Sequence, residues 1–271
     1  MNAKFLCSVL ALAAVTTSAS AVVTIDEFNG AGLDTNLWTL SDAAGNYGPG
    51  GGFGMVAGQA KFQQIKGENY GNIRTSLGNI GAGDTVRADA KMRLEQYGAG
   101  RWTQGVAIYF NNNNWVQLRE AYSGGEAGWV RQEVINGTLG GASSAGGGDM
   151  RYYHVIAGVE LTPTQIRFYG SPVGVDKSGV TSGNIDTNVS LLSDLTLPRP
   201  ASFTGQGYAI IGKGFGGAFG LNNLYLNNNG GSFLDPADTY IDFARINAVP
   251  EPVGMGLLAI GSAWLMRRRS E

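Results

Sequence analysis

The sequence predicts an all-β protein, an antiparallel sandwich or barrel preceded by a cleavable leader and followed by one short membrane helix. Three observations carry the β prediction. Apolar and polar residues alternate over short stretches, clusters of Gly and Asn separate those stretches, and no amphipathic helical pattern exceeds two turns. The chain's 271 residues, with 43 glycines and eight prolines, suffice for one large core. The formal charge of -2 comes with no basic stripe outside the terminal arginines, which excludes nucleic acid as the main partner.

Residues 1–21 have the order of a secretory signal peptide: Lys4, an apolar stretch from Phe5 to Val15, then Ala19-Ser20-Ala21. Cleavage by signal peptidase is expected after Ala21. The single cysteine, Cys7, lies inside this leader, so the mature chain has no thiol for a disulfide or a metal.

The body, residues 22–248, supplies the strands. In DTVRADAKMRLE, Val86, Ala88, Ala90, Met92 and Leu94 share one face while Arg87, Asp89, Lys91, Arg93 and Glu95 share the other, which predicts a strand with one wet side. Further strands are expected over 104–110, 115–121, 129–135, 152–160, 165–170, 207–213, 219–226 and 239–246. Many short strands at this spacing mean a sandwich or a barrel. The glycine-rich pieces near 50, 145 and 215 never read strand, GxxxxGK[ST], helix, so they are expected to be loops or bulges and not phosphate cradles.

Residues 249–271 close the chain with an apolar run from Val253 to Met266 and then Arg267, Arg268 and Arg269. Gly254, Gly256 and Gly261 suit a membrane helix better than a soluble one. Arginines after the run stay cytoplasmic by the positive-inside rule, which leaves the body outside the cytoplasmic membrane. The run is shorter than the roughly 20 residues that cross a bilayer comfortably.

Val249-Pro250-Glu251-Pro252, the apolar run and the three arginines together resemble the PEP-CTERM sorting signal of Gram-negative bacteria. The resemblance implies an exosortase that reads Pro250, Glu251 and Pro252 while the helix holds the protein. It also implies delivery to the cell surface or the extracellular matrix of a biofilm. The body carries a second resemblance. IDEFNGAGLDTNLW (25–38) is similar to the opening of concanavalin A-like jelly rolls, including glycoside hydrolase family 16 and laminin G-like modules. VAIYFNNNNWVQLRE (106–120) resembles their central hairpin, LTPTQIRFYGSP (161–172) a strand and turn lacking the family's Asp-Gly, and TYIDFARI their closing strand. This implies a jelly-roll sandwich.

Catalysis is poorly supported. A retaining glycosidase needs two carboxylates about 5 Å apart. Glycoside hydrolase family 16 uses E-x-D-x-x-E on one central strand, and this sequence contains no E-x-D. Glu120, Glu126 and Glu133 occupy the region at other spacings and read as ordinary acids. His154 has no second histidine or thiol with which to build a zinc site or a triad, and is expected to be a satisfied sheet histidine. No cofactor is expected except a structural calcium, implied by resemblance to some jelly rolls, between Asp26 or Glu27 and Asp242.

The remaining signal is the strand pair WVQLREA and WVRQEVI. If Val116, Leu118, Val130 and Val134 face the core, then Trp115, Gln117, Arg119, Trp129, Arg131 and Glu133 decorate one open side, with Tyr122 and Glu126 adding from the loop. Tryptophan faces pack on the C–H surface of sugars while Arg, Gln and Glu satisfy hydroxyls, so polysaccharide is the expected partner. The alternative is that the tryptophans fill packing positions beside cross-strand ion pairs; Gln132, on the supposed core side, points to a bulge that would invert half of the assignment. Three classes stay open: a noncatalytic lectin-like surface protein, a purely structural matrix component, and a divergent glycan-active hydrolase.

Overall fold

A computed structural model describes residues 22–42, 47–65, 70–96, 102–123, 126–140, 143–145, 148, 150–213 and 237–249. The expected signal peptide, the strand expected over 219–226 and the expected sorting segment from Pro250 onward lie outside the described residues.

The strands, in chain order, are β1 (Val22–Asp26), β2 (Thr39–Asp42), β3 (Tyr47–Met55), β4 (Ala60–Ile65), β5 (Gly71–Ile80) and β6 (Thr85–Gln96). The central group is β7 (Trp102–Asn111), β8 (Asn114–Ser123), β9 (Glu126–Ile135), β10 (Thr138–Leu139) and β11 (Ser143–Ala145). The last are β12 (His154–Leu161), β13 (Gln165–Gly170), β14 (Ser190–Leu191), β15 (Leu197–Pro198), β16 (Gly205–Lys213) and β17 (Ala237–Val249). Among the described residues they form two antiparallel sheets. A nine-stranded sheet runs β14-β13-β12-β6-β17-β4-β3, with β1 beside β17 and β15 beside β13. An eight-stranded sheet runs β10-β9-β8-β7-β16-β5-β2, with β11 beside β9. Every paired register is antiparallel, and the all-β sandwich expected from the sequence is what the chain forms.

The core lies between the sheets. Val86, Ala88, Ala90 and Met92 of β6 and Val155, Ala157 and Val159 of β12 meet Val106, Ile108, Val116, Leu118, Ala209 and Ile211 of the opposite sheet. Each set sits at every second position, as a strand with one buried face requires. The opening stretch closes on itself: the Trp38 indole N–H donates to Asp26 Oδ2 at 2.7 Å, the Phe28 amide donates to Asp26 Oδ1 at 2.8 Å, and the two rings sit 6.0 Å apart.

The supposedly wet side of β6 is not wet. Asp89 is 0 % exposed and Lys91 is buried, because residues 171–189 cross over the outer face of the nine-stranded sheet as a strap. Val180 and Ile185 of the strap pack on Ile156 and Phe243. Lys91 Nζ donates to the Ser178 and Val180 carbonyls at 2.8 and 3.0 Å. Arg245 of β17 bridges Asp89 at 2.8 Å and Asp186 of the strap at 2.7 Å, while Arg87 holds the other Asp89 oxygen at 2.8 Å. Burial alone would depress the Arg245 pKa; the hydrogen bonds and charges of Asp186 and Asp89 reverse that and hold it above its ordinary value. GNYGPGGGFG, expected as a loop or a bulge, contributes β3, an irregular strand that pairs with β4 across a register shift between Tyr47 and Gly52.

Replacing Arg245 with Met should destabilise the fold by roughly 3 kcal/mol, the lower end for a broken buried pair because Arg87 still holds Asp89. Urea titration reads this, and adding Asp89→Asn to the same chain should recover part of the loss.

Candidate functional site

The β8–β9 register decides which side chains share a surface. Trp115 lies opposite Val134, Gln117 opposite Gln132, Arg119 opposite Val130, and Glu120 opposite Trp129. Directly opposed residues of an antiparallel pair project to the same side. Trp115, Gln117 and Arg119 therefore share the outer face of the eight-stranded sheet with Val130, Gln132 and Val134. Trp129, Arg131 and Glu133 turn to the inter-sheet side with Val116 and Leu118. The six residues expected on one open side are split three and three by the plain register of the pair, with no bulge of the kind that Gln132 suggested.

Neither tryptophan is open. Trp129, 1 % exposed, belongs to the main core, its indole N–H donating to the Ser171 carbonyl at 2.8 Å. Gly170 is glycine for this reason, since a Cβ there would stand 2.5 Å from Trp129 Nε1. Trp115, 2 % exposed, packs with Ala107, Tyr109, Val134 and Ile210 in a smaller apolar cluster on the outer face. Arg131 donates to the Leu195 carbonyl at 2.9 Å and to Glu133 at 3.0 Å. Burial pushes the Glu133 carboxyl up, against the downward pull of Arg131.

The outer face extends across β7, β16 and β5. Tyr208 pairs with Tyr109, and Ile210 lies between Ala107 and Arg74. Arg74 sits 5.9 Å from the Tyr208 ring. Gln117 Nε2 donates to Gln132 Oε1 at 3.2 Å, and the buried Gln117 Oε1 has no hydrogen-bond partner among the described residues. Buried amide oxygens are normally satisfied, so this one stands ready for a donor. Arg74 and Tyr208 were missed from sequence. β5 was not recognised as a strand, and only its pairing with β16 brings Arg74 to this face.

No carboxylate joins that face from the paired stretches of β7, β8 and β9 just described. Glu120 is buried on the inter-sheet side, where Gln104 Nε2 donates to it at 2.8 Å. The side chains of Tyr122 and Glu126 lie outside the described residues. The expected calcium ligands do not converge either. Asp26 is occupied by Trp38 and Phe28, Glu27 accepts from Ser182 Oγ at 2.6 Å, and Asp242 is held by Lys91 at 2.7 Å and lies 3.6 Å from His154 Nε2. Among the described residues no three His, Cys, Asp or Glu side chains gather as a metal site. Lys91 and the Gln59 amide take the Asp242 carboxylate, which the β17 bulge between Ile241 and Phe243 turns outward.

No protein-family model and no curated protein matches the chain. Solved structures do. One, from work on endo-acting O-glycanases with which prominent members of the human gut microbiota initiate mucin breakdown, aligns at TM-score 0.53 and 15 % identity over 84 % of this chain and 99 % of that one. An endo-1,3-beta-glucanase from Streptomyces sioyaensis aligns at 0.51 and 13 % over 86 % and 98 %. The likeness is one of fold, an antiparallel two-sheet sandwich shared with these proteins. Bacteroides ovatus xyloglucan PUL GH43B aligns at 0.52 and 12 %, over 82 % of this chain, which spans 38 % of that protein's length. Identities this low carry the architecture and no site residue.

Two outcomes follow from the placements. Trp129→Ala should cost about 3–5 kcal/mol in denaturant titration, so any loss of binding in that variant reports unfolding. The Asp176 carboxyl is held at about 2 against an ordinary 3.8: burial raises it, but hydrogen bonds from Ser178 and from the His154 backbone and ring lower it further. A depressed acid stabilises above its unfolded pKa, so this contribution is complete above pH of about 4 and is lost as pH falls towards 2. In an acid titration followed by circular dichroism, Asp176→Asn should flatten that limb.

Proposed function

We propose that the chain is an exported, noncatalytic carbohydrate-binding protein that uses the outer face of its eight-stranded sheet. The observation that carries this reading is the partnerless Gln117 Oε1 in a row of buried polar side chains, Gln117, Arg119 and Gln132, with Arg74, Tyr109 and Tyr208 beside it, on a face where the paired stretches of β7, β8 and β9 place no acid. Amide and guanidinium groups match vicinal hydroxyls, and the tyrosines offer an apolar edge to a pyranose. Trp115 supports this floor from within its apolar cluster and is not itself a stacking platform. The glycanase-like fold agrees with a carbohydrate ligand.

A retaining hydrolase would require two facing carboxylates. Glu120 and Glu133 are committed to Gln104 and Arg131 away from this face, which favours binding over turnover. A structural matrix role remains the second reading, favoured by the glycine-rich stretches. The signal peptide, the Pro250-Glu251-Pro252 tripeptide and Arg267 to Arg269 support export through an exosortase, with transient anchoring in the cytoplasmic membrane before release to the surface or matrix.

The purified protein on a glycan array should show saturable binding that Gln117→Ala and Arg119→Ala each weaken about tenfold, read well below each variant's own melting temperature because both side chains are buried. Glu120→Gln should leave binding intact. Hydrolysis of an array glycan by the wild type would replace this reading with the enzymatic one, and absence of any binding would leave the structural matrix role.

A further inference from the structure

A groove of about 230 Å³ opens where β3 and β4 form the edge of the nine-stranded sheet. The register decides what lines it. Gly52 lies opposite Gln63 and Gly54 opposite Lys61, so these four positions share the outer face. Phe53 and Phe62 lie opposite each other on the inner face, with their rings 4.9 Å apart, and anchor the hairpin to the core. Lys61 and Gln63 therefore form one wall, the bare backbone of Gly52 and Gly54 forms the floor, and Val56, 48 % exposed, stands at the turn. That turn is tight, since the Val56 and Gln59 amides each donate to the other's carbonyl, at 2.9 and 3.1 Å.

Packing does not require glycine on that floor. Gly50 has φ of 76°, and a Cβ on Gly51 would stand 2.6 Å from the Gln63 carbonyl oxygen. Gly105, Gly158, Gly170 and Gly207 are pressed in the same way by neighbouring atoms. Among the described strand glycines, only Gly52 and Gly54 combine a φ outside the left-handed region with open space, where an added Cβ would meet nothing within 4 Å. Glycine weakens a strand, and inside one it marks a surface that another molecule approaches closely.

The wall selects the ligand. Lys61 Nζ lies 2.7 Å from Asp238, whose side chain has no exposure, and 4.7 Å from the centre of the Tyr240 ring. Its charge is balanced in place, yet an ammonium carries three donors, so a hydrogen remains for the groove. Gln63 adds an amide that both donates and accepts. An anion would meet a cation already neutralised, and a hydrocarbon would bury these polar groups without partners. A hydroxylated ring with C–H groups to set against Val56 fits. The volume is below the roughly 300–1,000 Å³ of sites for drug-sized ligands, which leaves room for a single ring.

We propose that this groove binds one neutral pyranose residue of a glycan, lying on the Gly52 and Gly54 backbone with its hydroxyls on Lys61 and Gln63. The site is on the other sheet from the Gln117–Arg119 row and stands or falls separately from it.

The test is hydrogen-exchange mass spectrometry on the purified full chain, with and without saturating laminarihexaose, cellohexaose or mannohexaose. Added protection is expected in peptides covering 50–63 with at least one of these probes. Changing Gly52→Val and Gly54→Val together should abolish that protection and weaken this site about tenfold, while melting at or above the wild-type temperature because valine suits a strand better than glycine. If the valines lower the melting temperature, Gln63→Ala decides alone and should also reduce the protection. Arg119→Ala should keep it. Protection confined to β5, β7, β8 and β16, or a double variant protected like the wild type, would overturn this groove and spare the first site. Protection of β3 that needs no sugar and rises with protein concentration would overturn it in favour of strand pairing between copies. Protection nowhere with all three probes would overturn both sites.

Discussion

The nine-stranded sheet depends on one buried ion pair. Asp89 and Arg245 sit side by side on β6 and β17, the two longest strands, and Asp89 has no access to water. An isolated carboxylate there would be prohibitive, so the pair exists only because Arg245 and Arg87 clamp both oxygens. Arg245 also reaches Asp186, and that second contact draws the strap onto the sheet. Once the strap is down, Val180 and Ile185 find an apolar seat on Ile156 and Phe243, Lys91 meets two strap carbonyls, and His154 meets Asp176. The charge network therefore places a segment with little regular structure of its own.

The eight-stranded sheet meets a different constraint. Its inter-sheet side must be apolar, yet Glu120, Gln104, Arg131 and Glu133 stand there. They are tolerated because each carboxylate has a partner. Acids consumed in this way cannot serve as a catalytic pair on the opposite face.

Strands whose alternation is strong were legible in the sequence: β6, β8, β9, β13 and β17 could be read from residues at every second position. β3 and β5 were not, because glycine carries no side chain with which to mark a face, and GNIRTSLGNI mixes polarity on both sides. The partition of the candidate site was half legible. Within β8 and within β9 the alternation assigns faces correctly, but nothing in either strand alone fixes their relative register, and a slip of one residue inverts every assignment on one of them. Gln132 opposite Gln117 was the only local indication. The bulge at Asp242 is likewise invisible from sequence, and it brings this acid to Lys91.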